Sequence, residues 1–157
     1  MKRVLILHTG GTLGMEGSPL QPGSFSAKLL EHVPELELLA EVDVRIVCNL
    51  DSSDLGPPQW QALARIISTE RVDWDGFVII HGTDTMAFTA AALAMTLRGL
   101  DRPVILTGAQ RPLTAVRTDA RRNLADAVAV ATQPIPEVAI CFDGLLLRGC
   151  RAIKGDA

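Results

Sequence analysis

The stretch Val4-Leu5-Ile6-Leu7-His8-Thr9-Gly10-Gly11-Thr12-Leu13-Gly14 decides the architecture. A short, unbroken apolar run suits a parallel strand covered by helices on both faces. The glycines behind it let the chain turn sharply, exposing backbone N–H groups and a threonine hydroxyl at the carboxyl edge of a sheet. The same arrangement recurs at Phe77-Val78-Ile79-Ile80-His81-Gly82-Thr83-Asp84-Thr85. Open α/β sheets build their binding crevices where strands give way to such loops.

Three further runs rich in β-branched residues, 42–47, 104–106 and 138–142, read as strands, and 145–147 as a sixth. Between them lie helical patterns. Pro57-Pro58 opens one that continues through Ser68, with Trp60, Leu63, Ala64 and Ile67 on one face. Another spans 85–98 and stops at Gly99. A third starts near Thr118, capped by Thr118-Asp119, and runs to about Thr132 before Pro134 and Pro136. This alternation predicts a three-layer, doubly wound, mostly parallel α/β sheet with flavodoxin-like strand order. Residues 14–26 read as a mobile loop beside the first strand.

A length of 157 residues suits one domain with a sizeable core, and 48% hydrophobic against 21% charged residues excludes a disordered chain. The net charge of −3 offers no general attraction to nucleic acid or anionic membrane, and favours a small neutral or zwitterionic ligand. No run approaches the roughly 18 to 20 apolar residues that span a bilayer, so no membrane and a cytoplasmic location are expected. Cys48, Cys141 and Cys150 form neither a CxxC nor a His/Cys cluster, so no metal is expected; Cys48 and Cys141 read as small buried strand residues.

Several polar residues fall at the expected crevice. Thr12 either presents its hydroxyl there or bonds its own turn; a phosphate-binding turn is the rival, but glycines at 10, 11 and 14 lack GxGxxG spacing. Asp84 can cap the helix behind it, or, flanked by Thr83 and Thr85, bind an ammonium group or organise a proton relay. Asp51-Ser52-Ser53-Asp54 follows the second strand and reaches the same edge, as a helix cap or a grip for an amino-acid-like ligand. Lys154 is a solvated surface charge, or, buried against Thr83 and Asp84, a group able to take a threonine proton. His8 and His81 close strands and read as satisfied rather than catalytic histidines; His32 reads as exposed on a polar helix. No GxSxG elbow is present.

These segments, with Thr107-Gly108-Ala109-Gln110-Arg111-Pro112 and residues 148–154, stand in an order and spacing that resembles the bacterial-type L-asparaginases, within the asparaginase/glutaminase amidohydrolases. The signal-free start and the Asp-Ser-Ser-Asp loop look like the cytoplasmic type I branch. The resemblance implies that Thr12 is the nucleophile, that Thr83, Asp84 and Lys154 form a second catalytic cluster, and that Asp84 also holds the substrate α-amino group. It implies that Asp51, Ser52 and Ser53 form the loop gripping the α-carboxylate, that Gly11 and Gly82 border the substrate, and that Ala109 lines the side-chain pocket. Backbone N–H groups near Gly11 and Thr83 are implied as the oxyanion hole. The implied substrate is L-asparagine, or L-glutamine, with no cofactor and a homo-oligomeric assembly.

Two departures stand out. Family members carry a tyrosine on the mobile loop, whereas this chain has no tyrosine and Leu20 is the nearest match in register. Typical family chains also continue with a second, smaller domain, so residues 1–157 are expected to be the amino-terminal α/β domain alone. Three functions stay open at this point: asparagine hydrolysis, binding of Asn or Asp without turnover, and a nucleotide-binding module with Asp51 at the ribose.

Overall fold

The computed structural model describes residues 1–16, 21–22 and 25–155. Strand β1 (Arg3–Gly10) is followed by a short antiparallel pair, β2 (Met15–Glu16) and β3 (Gln21–Pro22), then helices α1 (Phe25–His32) and α2 (Leu36–Leu39). Next come β4 (Glu41–Leu50), α3 (Pro57–Glu70), β5 (Gly76–Ile80), α4 (Met86–Thr96), β6 (Val104–Thr107), α5 (Ala120–Ala131), β7 (Val138–Phe142) and β8 (Leu145–Arg148). The main sheet has the order β4-β1-β5-β6-β7-β8, parallel except for β8, which returns antiparallel to β7. The first five strands carry the flavodoxin-like order expected from the sequence.

Alternation along the strands divides the core between two layers. Val4 and Ile6 of β1, with Val78 and Ile80 of β5, face one cluster containing Leu124 and Val128 of α5 and Leu29 and Leu36 from α1 and α2. Leu5, Leu7, Phe77 and Ile79 face the other, against Leu63 and Ile67 of α3 and Ala90 and Leu93 of α4. Strands β1, β5 and β6 are buried on both faces, hence their continuous apolar sequences.

Several expectations need correction. Strand β4 is an edge strand with alternating exposure and extends to Leu50, so Cys48 is half-buried rather than buried; Cys141 is buried. Helix α4 is shorter than 85–98, ending at Thr96, and only afterwards does Gly99 take its left-handed φ of 67°. Helix α5 begins at Ala120; the Thr118 hydroxyl accepts from the Ala120 N–H, whereas Asp119 makes no side-chain cap. The expected loop over residues 14–26 contains the β2–β3 pair and the start of α1; residues 17–20 and 23–24, Leu20 among them, lie outside the described residues. His32 is half-buried, with Nδ1 2.8 Å from the Lys28 carbonyl.

A bulge between His8 and Gly10 shifts the β1–β4 register so that Gly10 pairs with Leu50. Gly10 has φ +122°, and a Cβ there would lie 2.1 Å from the Leu50 carbonyl oxygen. Gly10→Ala is expected to destabilise the fold by at least roughly 1–3 kcal/mol through backbone strain, read as a lower urea midpoint at unchanged m-value; an unchanged midpoint would mean the bulge relaxes freely.

Burial pushes the His8 imidazole down to about 4 and lowers His81 as well. Between the ordinary histidine range and these folded values the unfolded chain binds more protons than the folded one. The neutral rings therefore favour folding at neutral pH, and that contribution is lost as pH falls from about 6.5 toward 4. For His8 alone it is on the order of 3 kcal/mol. The thermal midpoint is expected to fall steadily over that interval, above the range where most carboxylates titrate; a flat profile there contradicts the assignment.

Candidate functional site

Strand order reverses between β1 and β5, and the crevice lies at their carboxyl ends. Three loops meet there through small residues. Gly11, at φ +89°, packs so closely on the next loop that a Cβ would lie 2.6 Å from the Gly82 nitrogen. A Cβ on Gly82 would in turn lie 2.7 Å from the Ser52 Cβ and 2.8 Å from its Oγ. The Thr85 hydroxyl donates to the Ser52 carbonyl at 2.6 Å, and the Thr9 hydroxyl to the Ile80 carbonyl at 2.8 Å. Thr12, which opens a 3-10 turn directly after Gly11, is thus carried to the seam between the first and third loops.

Lys154 joins these loops from the far end of the chain. Beyond β8 the backbone makes a 3-10 turn at Gly149–Arg151, where Gly149 sits against the Val138 carbonyl, and Lys154 then reaches the crevice. Its Nζ donates to Thr83 Oγ1 at 3.1 Å and to Asp84 Oδ1 at 2.6 Å, across about seventy residues of sequence. Its side chain is 26% exposed although the residue as a whole is exposed, so the lysine is a paired charge at the crevice surface rather than a buried one. Asp84 is correspondingly not the cap of α4; that position is Thr85, which makes no side-chain cap bond. A charge-assisted bond to the ammonium outweighs a capping bond at a solvated helix start.

In the second loop Ser52 is buried while Asp51 and Ser53 are exposed. The Asp51 carboxylate accepts from the Ser53 hydroxyl at 2.7 Å and the Ser53 N–H at 2.9 Å, which holds it below its usual range. It fixes its own 3-10 turn; the residue capping α3 is instead Gly56, whose N–H donates to the Gln59 side chain. Among the described residues no cluster of three or more His, Cys, Asp or Glu could hold a metal ion, and no helix is long and apolar enough to cross a membrane.

Ala109, 3% exposed, follows β6 beside the same edge. Its loop is held by Asp119, which the sequence offered only as a helix cap, and by Asn123, which the sequence reading did not single out. The Asp119 carboxylate accepts from the N–H groups of Gln110 and Arg111, at 2.9 and 3.0 Å. Asn123, 1% exposed, donates through Nδ2 to the Gly108 carbonyl and to Asp119, and through Oδ1 accepts the Asp143 N–H. It therefore ties the Ala109 loop to the β7–β8 turn. The signal was present: Asn123 falls on the buried face of α5 with Ala120, Leu124 and Ala127, and a polar residue on such a face demands partners.

The sequence model of the family described as "Asparaginase, N-terminal" matches residues 3–157. The chain belongs to this asparaginase family. It is 41% identical to L-asparaginase 1 of Escherichia coli over 163 residues, covering 99% of this chain and 48% of that relative. It is 40% identical to the 60 kDa lysophospholipase of Mus musculus over 183 residues, covering 99% of this chain and 32% of the relative. The crystal structure of L-asparaginase I from Vibrio cholerae superposes with a TM-score of 0.93 at 41% identity, covering 99% of this chain and 49% of that one. The asparaginase-family chain thus spans about half the length of the bacterial relatives it matches, and its fold is that of their amino-terminal domain.

Asp119→Ala in this asparaginase-family domain leaves the two N–H groups of Gln110 and Arg111 without their acceptor, at a cost of about 1–3 kcal/mol. Amide hydrogen exchange is expected to speed up at Gln110 and Arg111 while Ile79 in the central strand is unaffected. Equal protection in variant and wild type would show that the loop holds itself.

Proposed function

We propose that this chain is an amidohydrolase domain acting on the side-chain amide of L-asparagine, with L-glutamine as the neighbouring substrate. The observation that carries this reading is the placement of Lys154 Nζ within hydrogen-bond reach of both Thr83 and Asp84 at the switch point of the sheet. The family membership and the similarity to proteins named L-asparaginase support it.

In the proposed reaction the Thr12 hydroxyl oxygen attacks the amide carbon. As the C–N bond breaks, the hydroxyl proton passes to the departing nitrogen, ammonia leaves, and an ester to Thr12 remains. Water then adds to the ester carbonyl, releases aspartate and returns the proton to Thr12. The Lys154 ammonium donates to Thr83 Oγ1 and so stabilises negative charge developing on that oxygen, which suits Thr83 to handling a proton of the attacking water. Asp84, whose side chain is 69% exposed beside the same lysine, presents a carboxylate to the substrate α-ammonium. Ser52 and Ser53 on the Asp51 turn provide the carboxylate grip, Gly11 and Gly82 form the floor of small residues on which the amide rests, and Ala109 bounds the pocket. Cytoplasmic location and homo-oligomeric assembly belong to the same proposal.

Ammonia release from L-asparagine tests it. Lys154→Met is expected to lower kcat by roughly 10²–10⁴-fold, the usual contribution of a proton-handling group, and Thr12→Ala to abolish turnover while leaving L-aspartate binding intact. Saturable aspartate binding by a wild-type chain that releases no ammonia would favour the second reading, a domain that binds Asn or Asp without turnover. The lack of any tyrosine in the chain is what keeps that reading in view.

A further inference from the structure

His81 belongs to a hydrogen-bonded chain whose direction is fixed at both ends. Its ring Nδ1 lies 2.7 Å from the Gly82 carbonyl oxygen, and its Nε2 lies 2.7 Å from Thr89 Oγ1. The Trp60 indole Nε1 lies 2.9 Å from the same Thr89 oxygen. An indole nitrogen only donates and a carbonyl only accepts. Trp60 therefore donates to Thr89 and the Nδ1 proton goes to Gly82; in a neutral ring the Thr89 proton then goes to His81 Nε2. The Thr89 hydroxyl has a second lone pair, so an imidazolium would meet the same contacts; with His81 1% exposed, burial disfavours that charged form and leaves the neutral Nδ1–H imidazole. The backbone of His81 is equally fixed: its N–H donates to the Thr107 carbonyl at 2.9 Å, and its own carbonyl lies against Gly108, where a Cβ would come within 2.3 Å.

The atom that receives this proton belongs to the peptide that joins Gly82 to Thr83. Residue 82 is glycine where a Cβ would lie 2.7 Å from the Ser52 Cβ, and a glycine leaves the 82–83 peptide unusually free to rotate. Packing alone thus creates the freedom to flip. Because a trans peptide points its C=O and N–H in opposite directions, a carbonyl drawn inward onto the buried ring turns the Thr83 N–H outward, to the side where Lys154 meets Thr83. A flipped peptide would instead place a carbonyl oxygen where negative charge develops.

We propose that His81 is a positioning residue: its Nδ1–H, in the buried neutral ring whose Nε2 accepts from Thr89, locks the Gly82–Thr83 peptide so that the Thr83 N–H faces the reacting carbonyl oxygen. The proposal rests on the reading of this crevice as an amidohydrolase site only for its effect on rate. The lock itself is a statement about the fold.

Asparagine and glutamine separate the two ring nitrogens, since an Asn side-chain amide reaches the position of Nδ1 and a Gln amide that of Nε2. In the full 157-residue chain, His81→Asn is expected to keep kcat within about threefold of wild type. His81→Gln is expected to lower kcat by roughly 100-fold, the loss typical of one oxyanion donor, with KM little changed and both variants folded by circular dichroism. Independently of turnover, the His81 ring nitrogens of ¹⁵N-labelled wild type are expected to show the Nδ1–H tautomer at neutral pH. The Gly82 carbonyl ¹³C resonance should move upfield in His81→Gln and stay in place in His81→Asn. Thr89→Val, which removes the hydroxyl between Trp60 and His81, should mix the tautomers. An Nε2–H tautomer in wild type, or a Gly82 carbonyl shift identical in the Asn and Gln variants, overturns the lock. Equal kcat in those two variants, with the tautomer and carbonyl shifts as expected, overturns the role in rate. A wild-type chain without turnover counts against the amidohydrolase reading alone, because the tautomer and the carbonyl shifts still decide for or against the lock.

Discussion

Three loops from three strands touch through Gly11, Gly82 and Ser52, at distances that leave no room for a Cβ on either glycine. Everything else at the crevice depends on this contact. It brings the turn carrying Thr12 against the turn carrying Thr83, and it anchors the Ser52 loop to both. The hydrogen bond from Thr85 to the Ser52 carbonyl reinforces the same junction from the start of α4. A methyl group at position 82 would separate two loops whose value lies in their proximity.

The polar residues buried in the described structure follow from that junction. His8, Thr9, Ser52, His81, Thr89, Thr107 and Asn123 all lie at or just behind the carboxyl ends of the parallel strands. The rest of the core is apolar on both faces of the sheet. Burying a polar group costs free energy unless a partner is supplied, and concentrating such groups at one end makes a rigid polar layer beneath the crevice. Asn123 links that layer to the Ala109 loop, and His81 links it to the Gly82 peptide.

The parallel strands were legible because burial on both faces leaves a continuous apolar run, and strand order followed from the alternation with helices. The edge strand β4 was legible only in part: its outer positions are exposed, so the apolar run ends at Val47 while pairing continues to Leu50. The direction of β8 was not legible at all, since three leucines specify a strand but not which way it runs. Local rules also misplaced Asp84. Its position before α4 looks like a cap, and the cation that recruits it lies seventy residues away, where no local pattern can register it. The motifs of the resemblance fixed which residues gather at the crevice, whereas Asn123 and Asp119 follow only from asking where a buried amide and an N–H pair find partners.

The antiparallel return of β8 separates the carboxylate of the crevice from its cation. The chain descends the sheet edge, turns at Gly149–Arg151 and climbs again before Lys154 arrives at Thr83. Thr12, Thr83 and Asp84 therefore sit on loops of neighbouring central strands, whereas the positive charge comes from the segment beyond the β8 edge. A chain released before its final turn would hold a shaped crevice with an uncompensated carboxylate and no ammonium. The charge balance of the crevice thus depends on the pairing of β8 with β7, at a sheet edge three strands away from β5.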